Sequence, residues 1–284
     1  GINQAITAGA TVDIDASGVT TITELGDIDA GGAVTFGADK AGTLTTAANI
    51  NTTDDNVTFA NAVTLSGGDA AVSIDTTGAG AGNILFQSEV LTGGQALTLD
   101  AGTAGNITAD NSITGGGALT VVDGAVQTYK GNIDVGSLEI LDATTSVTLG
   151  ADTSKTVRTA TSVDINSNSG ELTQNASVDA GTSLDYDAAG TIGINESIAT
   201  GTTIDIDALQ TTTIAEAGNI TSGGAVTFGA DKEGKLKTAA NIKTSDDDVT
   251  FTNKVTLSGG DAKVLIDTTG ALAGNILFKS KVAT

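Results

Sequence analysis

The chain has 284 residues, thirty-four Asp and Glu against twelve Lys and Arg, a net charge of -22 at pH 7, thirty-eight glycines, and no Pro, Cys, Met, Trp or His. Without His and Cys there can be no Ser-His or Cys-His nucleophile pair, no ordinary zinc site and no disulfide, and the acidic balance makes DNA, RNA and anionic membrane surfaces poor partners. No stretch approaches the eighteen apolar residues of a membrane span, no basic-then-apolar leader is present and the first residue is not Met, which reads as an excised or processed segment with no membrane insertion.

In chain order, residues 1–92 are the first copy of a unit that returns as residues 193–284 without insertion or deletion. GGAVTFGADK at Gly31 to Lys40 is unchanged at Gly223 to Lys232, and Val12-Asp13-Ile14-Asp15 returns as Ile204-Asp205-Ile206-Asp207. The period is 192 residues, so the expected organisation is one continuous segment over 1–284, with 1–192 a full superrepeat and 193–284 the first part of a second. An enzyme needs one copy of each site, whereas a long object needs many copies of one unit, so this self-similarity points to architecture before chemistry.

Apolar-x-apolar triplets begin at Val12, Val34, Val57, Val72, Leu97, Leu119, Leu138, Val163, Leu184 and Ile204. The steps of 22, 23, 15, 25, 22, 19, 25, 21 and 20 residues span one period, which predicts nine coils of about 21 residues per superrepeat and about thirteen coils in all. At about 4.8 Å per coil, nine coils give an axial repeat of roughly 43 Å. Between the triplets come Gly31-Gly32, Gly67-Gly68, Gly93-Gly94, Gly105-Asn106, Gly115-Gly116-Gly117 and Gly131-Asn132, read as corners where Gly and Asn take positive φ. Short strands, frequent corners and a fixed coil length describe an all-β parallel β-solenoid. A sandwich would not repeat 192 residues in register.

Differences between the copies report which side chains face water. Thr43, Thr45, Asn51, Ala62, Ala71, Gln87 and Glu89 become Lys235, Lys237, Lys243, Lys254, Lys263, Lys279 and Lys281, while Leu44/Leu236, Val63/Val255 and Val72/Val264 stay apolar. Tolerated charge and retained hydrophobe alternate, the period of a strand. Ser73 to Leu265 breaks the pattern. Absence of proline suits coils hydrogen-bonded on both sides, and Phe36, Phe59, Phe228 and Phe251, which close Val-Thr-Phe triplets, are expected to stack in the core. Residues 1–92 match 193–284 up to Thr284 with no atypical cap, which predicts a stack continued at both ends by more chain or another copy.

Strings such as GGAVTFGAD, GGQALTLDAGTAGNITA, GGGALTVVDG and AGNILF resemble the shaft repeats of giant bacterial exoproteins of the filamentous haemagglutinin type, over essentially the whole chain and as a rhythm more than a signature. The resemblance implies a right-handed parallel β-helix in a secreted or surface-attached rod that holds cells to surfaces, hosts or each other. The amino-terminal secretion domain of that family is not among these residues.

Parallel β-helices also include polysaccharide lyases and hydrolases with clustered Asp and Lys or Arg in an open groove. Here the lone Arg158 and nearby Lys155 sit in a Thr/Ser-rich stretch, and lysines of the second copy replace Thr, Ala and Asn of the first, so no catalytic role is expected. A glycan-active or carbohydrate-binding protein is the alternative, and an ice-binding solenoid a remote one. The residues in the middle of the triplets, Asp13, Thr35, Thr58, Ser73, Thr98, Thr120, Glu139, Asp164, Asp185, Asp205, Thr227 and Thr250, are expected to form one outward column. Ice-binding solenoids show paired Thr-x-Thr ranks, and this column has single Thr interrupted by Asp. Asn-x-Thr/Ser sequons at Asn51, Asn56, Asn106, Asn175, Asn195 and Asn219 arise readily in so Asn- and Thr-rich a chain.

The remaining candidate is a cation site. Asp164, Asp185, Asp187, Asp205 and Asp207 fall in three successive triplets, and Asp54-Asp55-Asn56 becomes Asp246-Asp247-Asp248 at a corner. Stacking would bring the first set into ranks about 4.8 Å apart. These eight residues are the calcium candidates, although neither set matches an EF-hand or the GGxGxDxUx repeat. No cofactor is expected to be required. The expected partners are further copies of the shaft, cell-surface glycans and other cells, at an extracellular or cell-surface location.

Overall fold

A computed structural model describes all residues except 68–70, 169 and 259–262. Among the described residues there are thirty-eight strands of two to five residues and no helix. The chain packs as two compact units, Gly1–Thr144 and Thr145–Thr284. Each is a parallel β-solenoid with three sheets, successive strands passing from one sheet to the next, and together they hold about 12 turns of roughly 22 residues.

In the first unit one sheet runs from Ile6–Ala8 through Ile28–Ala30, Ile50–Thr52, Val72–Asp75, Leu97–Asp100 and Leu119–Asp123 to Leu138–Ile140. A second runs from Val12–Ile14 through Val34–Phe36, Val57–Phe59, Ile84–Phe86 and Ile107–Ala109 to Val126–Tyr129, and a third from Val19–Ile22 to Ile133–Val135. The second unit has the same arrangement, one of its sheets carrying Val163–Ser167, Leu184–Ala188, Ile204–Ala208, Val226–Phe228, Val249–Phe251 and Ile276–Phe278.

Alternation sets the faces as expected. Leu44, Val63, Val72, Leu97 and Leu119 are 4%, 2%, 1%, 0% and 0% exposed, while Lys235, Lys237, Lys243, Lys254, Lys263, Lys279 and Lys281 are all exposed. Leu265 also points out, 58% exposed, and nothing in the structure explains its replacing Ser73. Parallel registers put like on like: Val34 pairs with Val57, Val57 with Ile84 and Ile84 with Ile107. The phenylalanine ladder forms and is longer than expected. Phe36, Phe59 and Phe86 stack at 5.0 and 4.8 Å, and Phe228, Phe251 and Phe278 at 5.4 and 4.7 Å, with ring planes within 7° of parallel.

Two expectations need correction. The first is nine coils per period. Val12, Val34 and Val57 lie in one sheet of the first unit, whereas Val72, Leu97, Leu119 and Leu138 lie in another, so the 15-residue step from Val57 to Val72 covers two strands, not a coil of three. Ile6–Ala8 is the first strand and its counterpart Ile198–Thr200 the twenty-seventh, so among the described residues a period holds twenty-six strands, eight coils and two strands over. The single outward column therefore does not exist. Asp13-Thr35-Thr58 and Ser73-Thr98-Thr120-Glu139 are separate ranks on different sheets.

The second correction concerns glycine. Gly67, Gly93, Gly94, Gly115 and Gly116 have positive φ, but Gly31, Gly32, Gly105, Asn106, Gly117, Gly131 and Asn132 do not; Gly68 lies outside the described residues. At these latter corners stacked backbones approach too closely for a side chain. A Cβ on Gly105 would lie 2.0 Å from the carbonyl oxygen of Gly82 and 2.3 Å from that of Ala101. Asparagines tie the Gly105-Asn106 corner to the corners stacked on it. Asn56 Oδ1 accepts from the Asn83 N–H, Asn83 Oδ1 from the Asn106 N–H and Asn106 Oδ1 from the Val126 N–H, at 2.9, 2.8 and 3.1 Å.

Leu97→Asp places an unpaired charge in a dry channel and is expected to cost several kcal/mol, roughly 3–5. Thr43→Lys, which makes the substitution the second copy already carries, is expected to stay within about 0.5 kcal/mol of the parent. Urea midpoints check the pair, and equal midpoints would reverse the assignment of faces.

Candidate functional site: stacked carboxylates

Strands Val163–Ser167, Leu184–Ala188 and Ile204–Ala208 pair in register through all five positions, so Asp164 lies against Asp185 and Asp185 against Asp205, while Asn166 lies against Asp187 and Asp187 against Asp207. Five of the eight acids singled out in the sequence share one face. Above them the rank changes to Thr227 and Thr250.

Two residues complete the cluster from the corner after Val226–Phe228. The Asp231 N–H donates to Asp207 Oδ2 at 3.1 Å, and Lys232 Nζ stands 3.1 Å from Asp187 Oδ1 as an ion pair lacking hydrogen-bond geometry. Sequence reasoning missed both, yet the signal was present: the GADK string is unchanged between the copies, and the first unit repeats the bond, Asp39 N–H to Asp15 Oδ1 at 3.1 Å. It also missed a shorter acidic rank in the first unit, where Asp75 pairs with Asp100 and Asp100 with Asp123.

One cation facing many acids leaves the cluster short of positive charge. Asp207 is 2% exposed, and its Oδ1, like Asp205 Oδ1, is out of water without a hydrogen-bond partner. Burial, and then the charges of Asp164, Asp187, Asp207 and Asp231, push Asp185 up to about 6. Burial, then Asp207, Asp185 and Asp231, push Asp205 up to about 7, against a weaker opposing pull from the Ile206 N–H. Asp207 is raised too, by burial first, with the Asp231 N–H holding it down. The same logic acts in the first unit, where burial and then, after opposing backbone hydrogen bonds, neighbouring carboxylates raise Asp100 and Asp123.

Asp246, Asp247 and Asp248 stand apart at a corner. Asp246 has φ 72° and its counterpart Asp54 φ 65°. Asp246 Oδ1 accepts from the Leu272 N–H at 2.8 Å, Asp248 Oδ1 from the Asn275 N–H at 2.7 Å, and the Asp247 carbonyl from Thr244 Oγ1 at 2.5 Å. Asp246 and Asp248 thus fasten one coil to the next, and the Asp247 carbonyl closes the corner on itself. Among the described residues no group of three or more acidic side chains is placed to hold a metal ion.

Nothing else in the described residues assembles into a reactive constellation. Arg158 Nε lies 3.7 Å from Asp179 Oδ2, both side chains about two-thirds exposed on a strand face. Tyr129 and Tyr186 are 1% and 0% exposed, and five of the six phenylalanines 3% or less. The sequon residues Asn56 and Asn106 belong to the corner ladder, and Asn51 Nδ2 donates to Asp29 Oδ1 at 2.9 Å. No family model, curated protein or solved structure matches the chain.

Asp185 and Asp205 hold protons more tightly when folded than when unfolded. Stability from these groups is therefore fully present below about pH 4 and is lost as pH rises through about 6 to 7. Asp205→Asn is expected to raise stability at pH 8 by about 1 kcal/mol, a figure reduced for solvent screening at a half-buried site, and to flatten the decline. Thermal unfolding of parent and variant between pH 4.5 and 8 reads this directly, and parallel pH profiles would remove these acids as its cause.

Proposed function

We propose that the chain is a shaft segment of a secreted bacterial adhesin or extracellular filament of the filamentous haemagglutinin type, lying outside the cell or at its surface. The observation that carries this is the repeat: the twelve strands from Ile6–Ala8 to Val90–Leu91 recur in the same order 192 residues later, from Ile198–Thr200 to Val282–Ala283, and what recurs is core and corner, while the surface changes. Such a chain supplies length and spacing, and no catalytic step is assigned to it. Its partners on this reading are further copies of the shaft and the glycans or surfaces of other cells.

The glycan-active alternative asks for exposed aromatic platforms beside paired acids. Five of the six phenylalanines are instead buried in the core stacks. The acids lie on strand faces, with Leu184, Asp185, Ile204, Asp205 and Thr227 lining only an open depression.

Native material is expected to be long fibres with axial spacings near about 4.8 Å and about 42 Å, the latter twenty-six thirds of a coil. Electron microscopy and fibre diffraction test this, and native material showing neither spacing would overturn it.

Calcium or another divalent ion is the proposed counter-ion of the acidic face, supported by the unpartnered Asp205 and Asp207 oxygens. Like charges about 4.8 Å apart repel by roughly 1 kcal/mol in water and about 3 to 4 at an effective dielectric of 20. Calcium is thus expected to raise the melting temperature beyond sodium at equal ionic strength. Equal shifts would leave screening alone.

A further inference from the structure

Seven positions that are neutral or acidic in the first copy are lysine in the second, and four of them converge on one sheet face. Lys235–Thr238 pairs with Lys254–Leu257, Lys235 lying against Lys254. Val255 pairs with Val282 and its N–H donates to the Lys281 carbonyl at 3.0 Å, which places Lys281 level with Lys254 on the next coil. Lys235, Lys254 and Lys281 therefore form a column across three successive coils, with Lys237 beside it. All four are exposed, and among the described residues none is in an ion pair.

Stacked ammonium groups repel as stacked carboxylates do, by roughly 1 kcal/mol per pair in water. The first copy, with Thr43, Ala62 and Glu89 at the column positions, shows that the coil does not need them for folding. A face that carries this cost without an internal counter-charge is matched to an external anion. The same unit presents one of the right spacing. Asp185 and Asp205 stand on successive coils of another sheet, so their rank has the same rise as the lysine rank.

We propose that the lysine column Lys235-Lys254-Lys281 of one chain docks against the Asp185-Asp205 rank of a second copy of this chain, joining solenoids side by side. Equal rise lets ion pairs form on consecutive coils at once, and each pair neutralises two ranks that are strained when apart. The contact is heterologous, since each chain keeps a free lysine face and a free acidic face, so it propagates into bundles without closing. The chains carry net charges of -22 each, but at about 0.1 M salt the Debye length of about 10 Å screens the distant repulsion while close pairs survive. This contact is independent of whether the shaft serves adhesion.

Sedimentation velocity of the purified chain tests the pairing. At pH 8 and about 0.1 M salt, lateral oligomers are expected, weakening at least about tenfold by about 0.5 M. Lys235→Glu with Lys254→Glu is expected to abolish them, as is Asp185→Lys with Asp205→Lys. A mixture of the two double variants, one with two acidic faces and the other with two basic ones, is expected to regain open-ended association in alternation, and a chain with all four substitutions to regain it alone. Circular dichroism checks that each variant retains its fold, and Lys235→Thr with Lys254→Ala, which restores the residues of the first copy, is the arm to read if the glutamate variant does not fold. Assembly that persists unchanged at about 1 M salt and in the lysine variants is end-to-end stacking and overturns the proposal. A lysine-variant defect that neither the mixture nor the charge exchange repairs points to another anionic partner and overturns it equally, as does a chain that stays monomeric throughout.

Discussion

Coil upon coil is the contact on which everything else in this chain depends. Phe86 and Phe278 end the same Ile-Leu-Phe strand in the two copies. Phe86 has Phe59 on one side and the strand Ile107–Ala109 on the other and is 1% exposed, whereas Phe278 pairs on one side only and is 38% exposed. Burying that third of a ring stabilises by about 1–2 kcal/mol, and each inward position of a coil gains in the same way. No single coil has an interior of its own. Small aliphatic side chains suffice because they need only touch identical neighbours above and below, and proline has no place in a ladder paired on both sides.

The fold was legible because this stacking writes a period-two pattern into the sequence, and two diverged copies in one chain separate the faces. Lys254 beside Val255 distinguishes outside from inside by sequence alone. Coil count was less legible for a physical reason. All three sheets accept the same inward residues, so a Val-x-Ile triplet does not say which sheet it belongs to. The change of sheet between Val57–Phe59 and Val72–Asp75 left only a short step as its trace. Glycine was misread in part through the same gap. Positive φ is a property of one residue and can be guessed locally, while the close approach of Gly105 to Gly82 exists only once coils are stacked.

The acidic face was half legible. Asp164, Asp185, Asp187, Asp205 and Asp207 could be placed together because strand register is inherited from the apolar positions flanking them. Asp231 and Lys232 could not, since they reach the cluster from a corner whose path the strand pattern does not fix. The corner acids Asp246 and Asp248 resembled ligands for the reason that makes them good fasteners: a short carboxylate accepts well from a backbone N–H one coil away.

A period of twenty-six strands in a three-sheet coil has a further consequence for how such a chain can grow. Duplicating a whole number of coils would return each strand to its own sheet. Duplicating eight coils and two strands requires that a strand suited to one sheet serve in the next, and that corners of different lengths be interchangeable. Val-Thr-Phe strands satisfy this because their inward residues need only a like neighbour on the adjoining coil, which the copy brings with it. Interchangeable faces in turn free the outward positions from the core. That freedom is what lets one copy carry eleven acids and one lysine and the other eleven acids and eight lysines on the same scaffold, so the solenoid's surface chemistry can change between copies while its interior stays the same.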